Sequence, residues 1–263
     1  MAFRFTRKSF LTQFERLLPQ RRDSRLEARR LEAGSDEHYS AYVGPPTQFD
    51  FMGATQFRLA CALGLRETHK LLDFGCGSLR AGRLMIPYLG EGCYFGIEPN
   101  RWLVEKGLAE EVGDSLVRKR RPQFRYVSDF DARVFGTKFD FIVAQSIFSH
   151  AGRSQITTAL SSFRDSLEEN GLVLATFIPS GHWGEDNTGN EWVYPGCVYY
   201  SEDSIAQFAR ESGLEMRRIP WFHPRQNWYL FARTIGALPS EEDAARHLTG
   251  VVLRDPSLRR ELV

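Results

Sequence analysis

The sequence lacks any run approaching the roughly 18 consecutive apolar residues that a membrane-spanning helix needs. Its opening residues show neither the apolar core nor the small-residue cleavage site of a secretory signal, so a cytoplasmic protein is the expectation. Cysteine is sparse. The four (Cys61, Cys76, Cys93, Cys197) include no Cys-x-x-Cys pair, which argues for free thiols and against a metal or disulfide framework. His182, Glu185, Asp186 and His223 are too loosely spaced to read as metal ligands. A charge excess is missing too: 34 Lys and Arg against 33 Asp and Glu leave a net +1. The molecule as a whole therefore offers no general attraction to nucleic acid or lipid. There is no internal repeat and no low-complexity tract. What remains is an ordinary globular composition, 42% hydrophobic and 25% charged over 263 residues, enough for one large domain with appendages.

The charge that is present is uneven. Residues 1–33 carry nine Lys or Arg against four acids, an excess of five, so the remainder stands at about −4. Phe10, Leu11, Phe14, Leu17 and Leu18 fall at helical spacing ahead of Pro19. Residues 1–35 thus read as a basic helical arm. It packs on the chain's own body or on a second copy in a homodimer, or it touches an anionic membrane surface peripherally.

Beyond the arm, helical and extended patterns alternate. Residues 51–65 read as a helix, 70–74 as a strand, 84–89 as a helix, 93–98 as a strand and 101–111 as a helix. Strands follow at 123–127 and 139–144, then a helix at 156–167. Asn170-Gly171 reads as a turn before a buried strand at 172–177. A further helix ends near Gly213, and strands at 214–219 and 228–233 are joined by a link too short for a helical crossover. This is an α/β domain over residues 36–234. Its seven-stranded, mostly parallel, Rossmann-like sheet has an antiparallel last strand and helices on both faces. Residues 178–199 break the rhythm with glycine, proline and aromatic residues and read as a substrate lid loop. Residues 235–263 read as a polar helical tail.

The first strand ends in Leu71-Leu72-Asp73-Phe74-Gly75-Cys76-Gly77, a glycine turn feeding a helix, as in nucleotide-binding corners. The dinucleotide fingerprint wants a third glycine where Arg80 stands, and a phosphate loop wants a Gly-Lys-Ser/Thr that is absent. Residues 71–77, Tyr94-Phe95-Gly96-Ile97-Glu98, Ser128-Asp129, 139–143 and 167–174 together resemble, in order, the motifs of class I S-adenosylmethionine-dependent methyltransferases. One departure is Leu79, where many members carry a third glycine. The resemblance implies an enzyme with S-adenosylmethionine as cofactor. Asp73, Gly75, Cys76 and Gly77 would lie along its methionine and ribose. Glu98, with Pro99 beside it, would accept from the ribose diol. Ser128 and Asp129 would meet the adenine, Gln145 would lie near the sulfonium, and Arg80 would pair with the α-carboxylate or sit at the surface.

A hydroxyl acceptor benefits from a base that titrates near neutrality. His150, after the fourth strand, and His182, opening the loop, are the candidate catalytic residues. Trp183, Trp192, Tyr199, Tyr200 and His223 are candidates for substrate contact. The fourth strand does not run into Asn/Asp-Pro-Pro-Tyr, which argues against amide or adenine N-methylation. The expectation is O-methylation of a small molecule or glycan. The alternatives are a nucleic-acid methyltransferase that uses the arm, disfavoured by the overall charge, and a non-catalytic cofactor-binding protein.

Overall fold

The computed structural model describes residues 39–45, 48–181 and 184–250. The arm expected over 1–35, the end of the tail (251–263), His182 and Trp183 lie outside the described residues. Among those described, no helix is long and apolar enough to cross a membrane.

The sheet holds seven strands: β1 (Leu71–Phe74), β2 (Tyr94–Ile97), β3 (Gln123–Arg125), β4 (Phe139–Ala144), β5 (Leu167–Phe177), β6 (Glu215–Ile219) and β7 (Asn227–Ala232). Their order is β3-β2-β1-β4-β5-β7-β6. The first five run parallel, and β7 pairs antiparallel with both β5 and β6. The expected fold is borne out, with the final hairpin where the short link placed it. Among the described residues seven α-helices accompany the strands: α1 (Phe49–Ala62), α2 (Gly82–Tyr88), α3 (Arg101–Gly107), α4 (Asp114–Arg120), α5 (Arg153–Ser166), α6 (Glu202–Glu211) and α7 (Glu241–His247).

Both faces of the sheet are covered, which is why β1, β2 and β7 are buried along their whole length. On one face Leu59, Ala60, Met85, Ile86 and Val104 bring α1, α2 and α3 against Leu71, Val143 and Leu230. On the other, Ile156, Leu160 and Phe163 of α5 and Ile205 and Phe208 of α6 pack on Leu72, Ile142 and Phe231. Ser201 caps α6 by accepting from Ser204 N–H, as its sequence suggests.

Three elements depart from the sequence reading. Asn170-Gly171 is not a turn before the strand: β5 begins at Leu167, and the register against β4 shifts between Phe139 and Phe141. Gly171 fits this bulge because a Cβ there would lie 2.8 Å from Phe139 O. Helix α4 went unread, since its seven residues bury no side chain and so show no apolar period. The tail is not merely polar. Leu238, Ala244 and Leu248 are buried in the same core as α1, and Phe222 N–H donates to Thr249 O.

Strand β1 lies between β2 and β4, so the chain leaves it in opposite directions along the sheet. Open parallel sheets bind ligands at the carboxyl ends of the strands flanking such a switch point. Gly75, Glu98 and Gln145 immediately follow β1, β2 and β4 there.

Candidate functional site

The glycine corner is held by β2. Gly75 and Cys76 N–H both donate to Ile97 O, at 2.8 and 3.0 Å, and Gly77 N–H donates to Glu98 Oε2 at 3.1 Å. Gly75 and Gly77 take φ of +76° and +54°, the left-handed region that favours glycine. Leu79 takes φ of +62°, so the backbone path that a third glycine would ease is present without it. Leu79 is fully buried and its side chain packs against Gly107 of α3. Both Leu79→Ala and Leu79→Gly forfeit that burial, at about 2–5 kcal/mol, but only glycine recovers the roughly 1 kcal/mol of left-handed strain. Leu79→Gly is therefore expected to unfold in urea at a concentration no lower than Leu79→Ala, reversing the usual order of the two residues.

Glu98 is buried, and burial raises its pKa above the ordinary carboxylate range against the lowering effect of its hydrogen bonds. Oε1 accepts from Asn100 N and Nδ2, both at 2.9 Å. Asp73 is buried in β1. Its Oδ2 accepts from Tyr94 Oη at 2.8 Å, and burial pushes its pKa up to about 6. Arg80 is half-buried, with its Nε shielded from solvent. It donates to Val43 O, and burial lowers its pKa to about 10, with Asp73 opposing that shift. Burial likewise raises the Cys76 thiol, which stays protonated. Pro99, Ser128 and Asp129 are exposed, and Asp129 Oδ1 accepts from Asp131 N–H at 3.1 Å.

Two segments close over this corner. A Cβ on Gly77 would lie 2.4 Å from Val43 Cγ1, and one on Gly75 would lie 2.1 Å from Ile147 Cδ1. Tyr42, beside Val43, bonds the Asn100 side chain. Its ring stands 5.8 Å from Trp102 and 5.6 Å from Tyr194. Tyr194 lies 4.9 Å from His150, and Trp192 stands 5.9 Å from Phe130. An aromatic arch thus runs from α3 across the strand ends to the residue after Asp129.

His150 is set for proton acceptance. Its Nδ1 lies 2.6 Å from Gly196 O. A carbonyl only accepts, so Nδ1 carries the hydrogen and Nε2 keeps its lone pair. Burial lowers its pKa, the Gly196 bond opposes this, and the Arg225 charge adds to it. The imidazole is neutral at pH 7.

His223 is the reverse case. Its Nδ1 accepts from Arg225 and Gln226 N–H, at 3.1 and 2.9 Å, so the neutral ring carries its hydrogen on Nε2. Nε2 lies 3.3 Å from Gln145 Nε2, while Gln145 Oε1 is buried without a hydrogen-bond partner. Rotating that amide by half a turn lets Oε1 accept from His223, the assignment the chemistry favours.

Tyr200 is a packing residue rather than part of an open site. It is buried against Phe177 and Phe208, and its hydroxyl donates to Ala151 O at 2.8 Å. Tyr199 packs on Gly184. Asp186 accepts from Ser201 Oγ at 2.9 Å and Ser204 Oγ at 2.5 Å, which ties the loop to the start of α6.

The corner fits a nucleoside with an amino-acid tail. Glu98 is a buried carboxylate with acceptor capacity left for a diol. Arg80 is a half-buried cation whose buried Nε has no hydrogen-bond partner. At Gly75 and Gly77 the atoms nearest an added Cβ are side-chain carbons of Ile147 and Val43, not backbone.

A family model described as a methyltransferase domain matches residues 12–219. No curated protein matches the chain. Solved structures similar to this fold include the magnesium protoporphyrin IX methyltransferase ChlM from Synechocystis PCC 6803 with bound S-adenosylmethionine. It is 12% identical, with 89% of this chain and 100% of that chain covered and a TM-score of 0.56. CcbJ from Streptomyces caelestis is 14% identical, covering 74% and 93%, at a TM-score of 0.54. DesVI from Streptomyces venezuelae is 13% identical, covering 73% and 95%, at 0.53.

Proposed function

The chain belongs to the methyltransferase-domain family and uses S-adenosylmethionine as its methyl donor; from that premise we propose that it methylates a hydroxyl of a small molecule or glycan, with His150 as general base. The observation that carries this reading is the fixed tautomer of His150 at the end of the β4 segment, two elements away from Glu98 across the switch point. A neutral imidazole with an available Nε2 suits a hydroxyl, whose proton must leave as the oxygen attacks.

In this reading residues 36–234 form the catalytic domain and residues 178–199 the lid over the acceptor. Glu98 holds the ribose hydroxyls, Ser128 and Asp129 face the adenine, and Arg80 pairs with the α-carboxylate once it turns from Val43 O. The bound donor supplies a methyl on a sulfonium, whose sulfur keeps the electron pair of the broken carbon–sulfur bond. His150 Nε2 takes the hydroxyl proton, and Gly196 O holds the imidazolium that results. The overall charge balance of +1 favours a small acceptor over the alternative polymer.

The test is release of S-adenosylhomocysteine from enzyme incubated with phenols, hydroxy acids and monosaccharides, each beside its amine counterpart. Turnover with hydroxyl compounds supports the reading; turnover confined to amines contradicts it. The pH dependence is a second check. The depressed His150 pKa means kcat/KM is expected to fall on acidification only below the usual histidine value of about 6.5. It stays level above that value, and His150→Gln loses the acid limb. An acid limb centred above 6.5 contradicts a buried neutral base.

A further inference from the structure

The chain leaves β4 through a strained and tightly bonded corner. Ser146 takes φ of +61°, a conformation costly for a residue other than glycine. Its N–H donates to Thr176 Oγ1 and its Oγ accepts from Gln226 Nε2, both at 2.8 Å. These bonds hold the backbone next to Gln145. Asp73 of β1 faces Val143 of β4, and continuing that parallel register sets Gln145 next to Gly75. Gln145 and His223 are 7% and 6% exposed. The backbone N–H groups of Arg225 and Gln226 anchor His223 through Nδ1, so its Nε2–H offers a donor to the Gln145 amide, 3.3 Å away. Gln145 meets that donor with Oε1. Its NH2 then takes the other end of the amide, a buried position where a carbonyl oxygen would find no donor. His223 carries its hydrogen on Nε2, so that nitrogen orients the amide and accepts no proton.

We propose that Gln145 selects oxygen over nitrogen in the acceptor by donating from Nε2 to the attacking atom, and that His223 is the positioning residue that holds the amide in that orientation. This rests on the O-methyltransferase reading above and deepens it. A hydroxyl oxygen has two lone pairs and one hydrogen. One pair forms the new carbon–oxygen bond as the carbon–sulfur bond breaks with its electrons on sulfur. The other pair accepts from Gln145, and the hydrogen passes to His150 Nε2 as a proton. A neutral amine has a single lone pair. It cannot both attack and accept, so it leaves a buried N–H of Gln145 unpaired.

Two measurements test this. Nuclear magnetic resonance of the full chain with isotope-labelled histidine is expected to show His223 protonated on Nε2 and bare on Nδ1, the reverse of His150. Loss of the signals in His223→Asn identifies them. A hydrogen on His223 Nδ1 overturns the positioning role whatever the acceptor. The second measurement supplies S-adenosylmethionine with 2-aminophenol, serine and glucosamine, each of which carries a hydroxyl and an amine. Tandem mass spectrometry reads the ratio of O-methyl to N-methyl product. Wild type is expected to favour the O-methyl product about tenfold or more, and Gln145→Glu, which presents an acceptor in place of the donor, to lower the ratio about tenfold. His223→Asn keeps an oxygen for the Arg225 and Gln226 amides but falls short of Gln145, so its ratio drops as well. His223→Gln keeps a donor near the imidazole Nε2 position, and its ratio stays within about twofold of wild type. A purely structural His223 predicts the same ratio in both His223 variants. That result, or an unchanged ratio in Gln145→Glu, overturns the proposal and leaves the hydroxyl reading standing. A wild type that makes no O-methyl product from any of the three fails the hydroxyl reading itself and takes the selection with it.

Discussion

Glu98→Ala is expected to weaken S-adenosylmethionine binding at least about 100-fold, since two hydrogen bonds to a charged acceptor contribute roughly 1.5–3 kcal/mol each. The carboxylate does two things at once. It offers the diol an acceptor, and it fixes the corner by holding Gly77 N–H at 3.1 Å and both nitrogens of Asn100 at 2.9 Å. Alanine removes the first and leaves buried donors unpaired. Glu98→Gln keeps the shape but turns an NH2 toward one of those donors, so it should fall between wild type and alanine. Calorimetry gives the affinities, and thermal melting checks that the variants fold. The raised pKa of Glu98 has a sign of its own. Protonation costs the carboxylate acceptor capacity, so cofactor affinity should start to fall on acidification at a higher pH than an exposed glutamate would set. Unchanged affinity in Glu98→Ala would remove the ribose assignment.

His150→Gln is expected to lower kcat by about 10²–10⁴, the range for loss of a general base, while the affinity for S-adenosylhomocysteine stays within a few-fold of wild type. The separation follows from geometry. The His150 ring contacts Trp192, Tyr194 and Gly196 O, all on the lid side, and none of the groups that hold the glycine corner. A His150→Gln variant with kcat near wild type would reduce the arch to packing and leave deprotonation to solvent.

The corner was legible in the sequence because its requirements are local. Two glycines at +76° and +54°, an acid ending the next strand, and apolar runs buried on both sides are properties of short windows. The antiparallel last strand follows from the short link that precedes it. The lid chemistry was only partly legible. His150 and Trp192 stood out as residue types, but Tyr42 touches Tyr194 across 152 positions, and no local pattern announces such a contact. Gly196 supplies only a carbonyl, which any residue carries. Tyr200 showed the opposite failure. It reads as a candidate for substrate contact, yet the Asp186 and Asn187 bonds draw its segment onto α6 and bury the ring. Arg80 reads as either a partner of the α-carboxylate or a surface residue, because a charged residue near a helix start is ordinarily exposed. Here α1 packs so closely that a Cβ on Gly53 would lie 2.3 Å from Arg80 O, and the side chain turns inward to Val43.

The central claim is that the corner at Gly75, Gly77 and Glu98 holds the methyl donor with its reactive end toward His150. Electron density from crystals grown with S-adenosylhomocysteine tests it most directly. The account predicts ribose hydroxyls within hydrogen-bond distance of the Glu98 carboxylate, adenine beside Asp129, Val43 and Ile147 moved off the glycines, and the sulfur on the His150 side of the cleft. Ligand density elsewhere on the sheet, or in the corner with Glu98 still bonded only to Gly77 and Asn100, would contradict it.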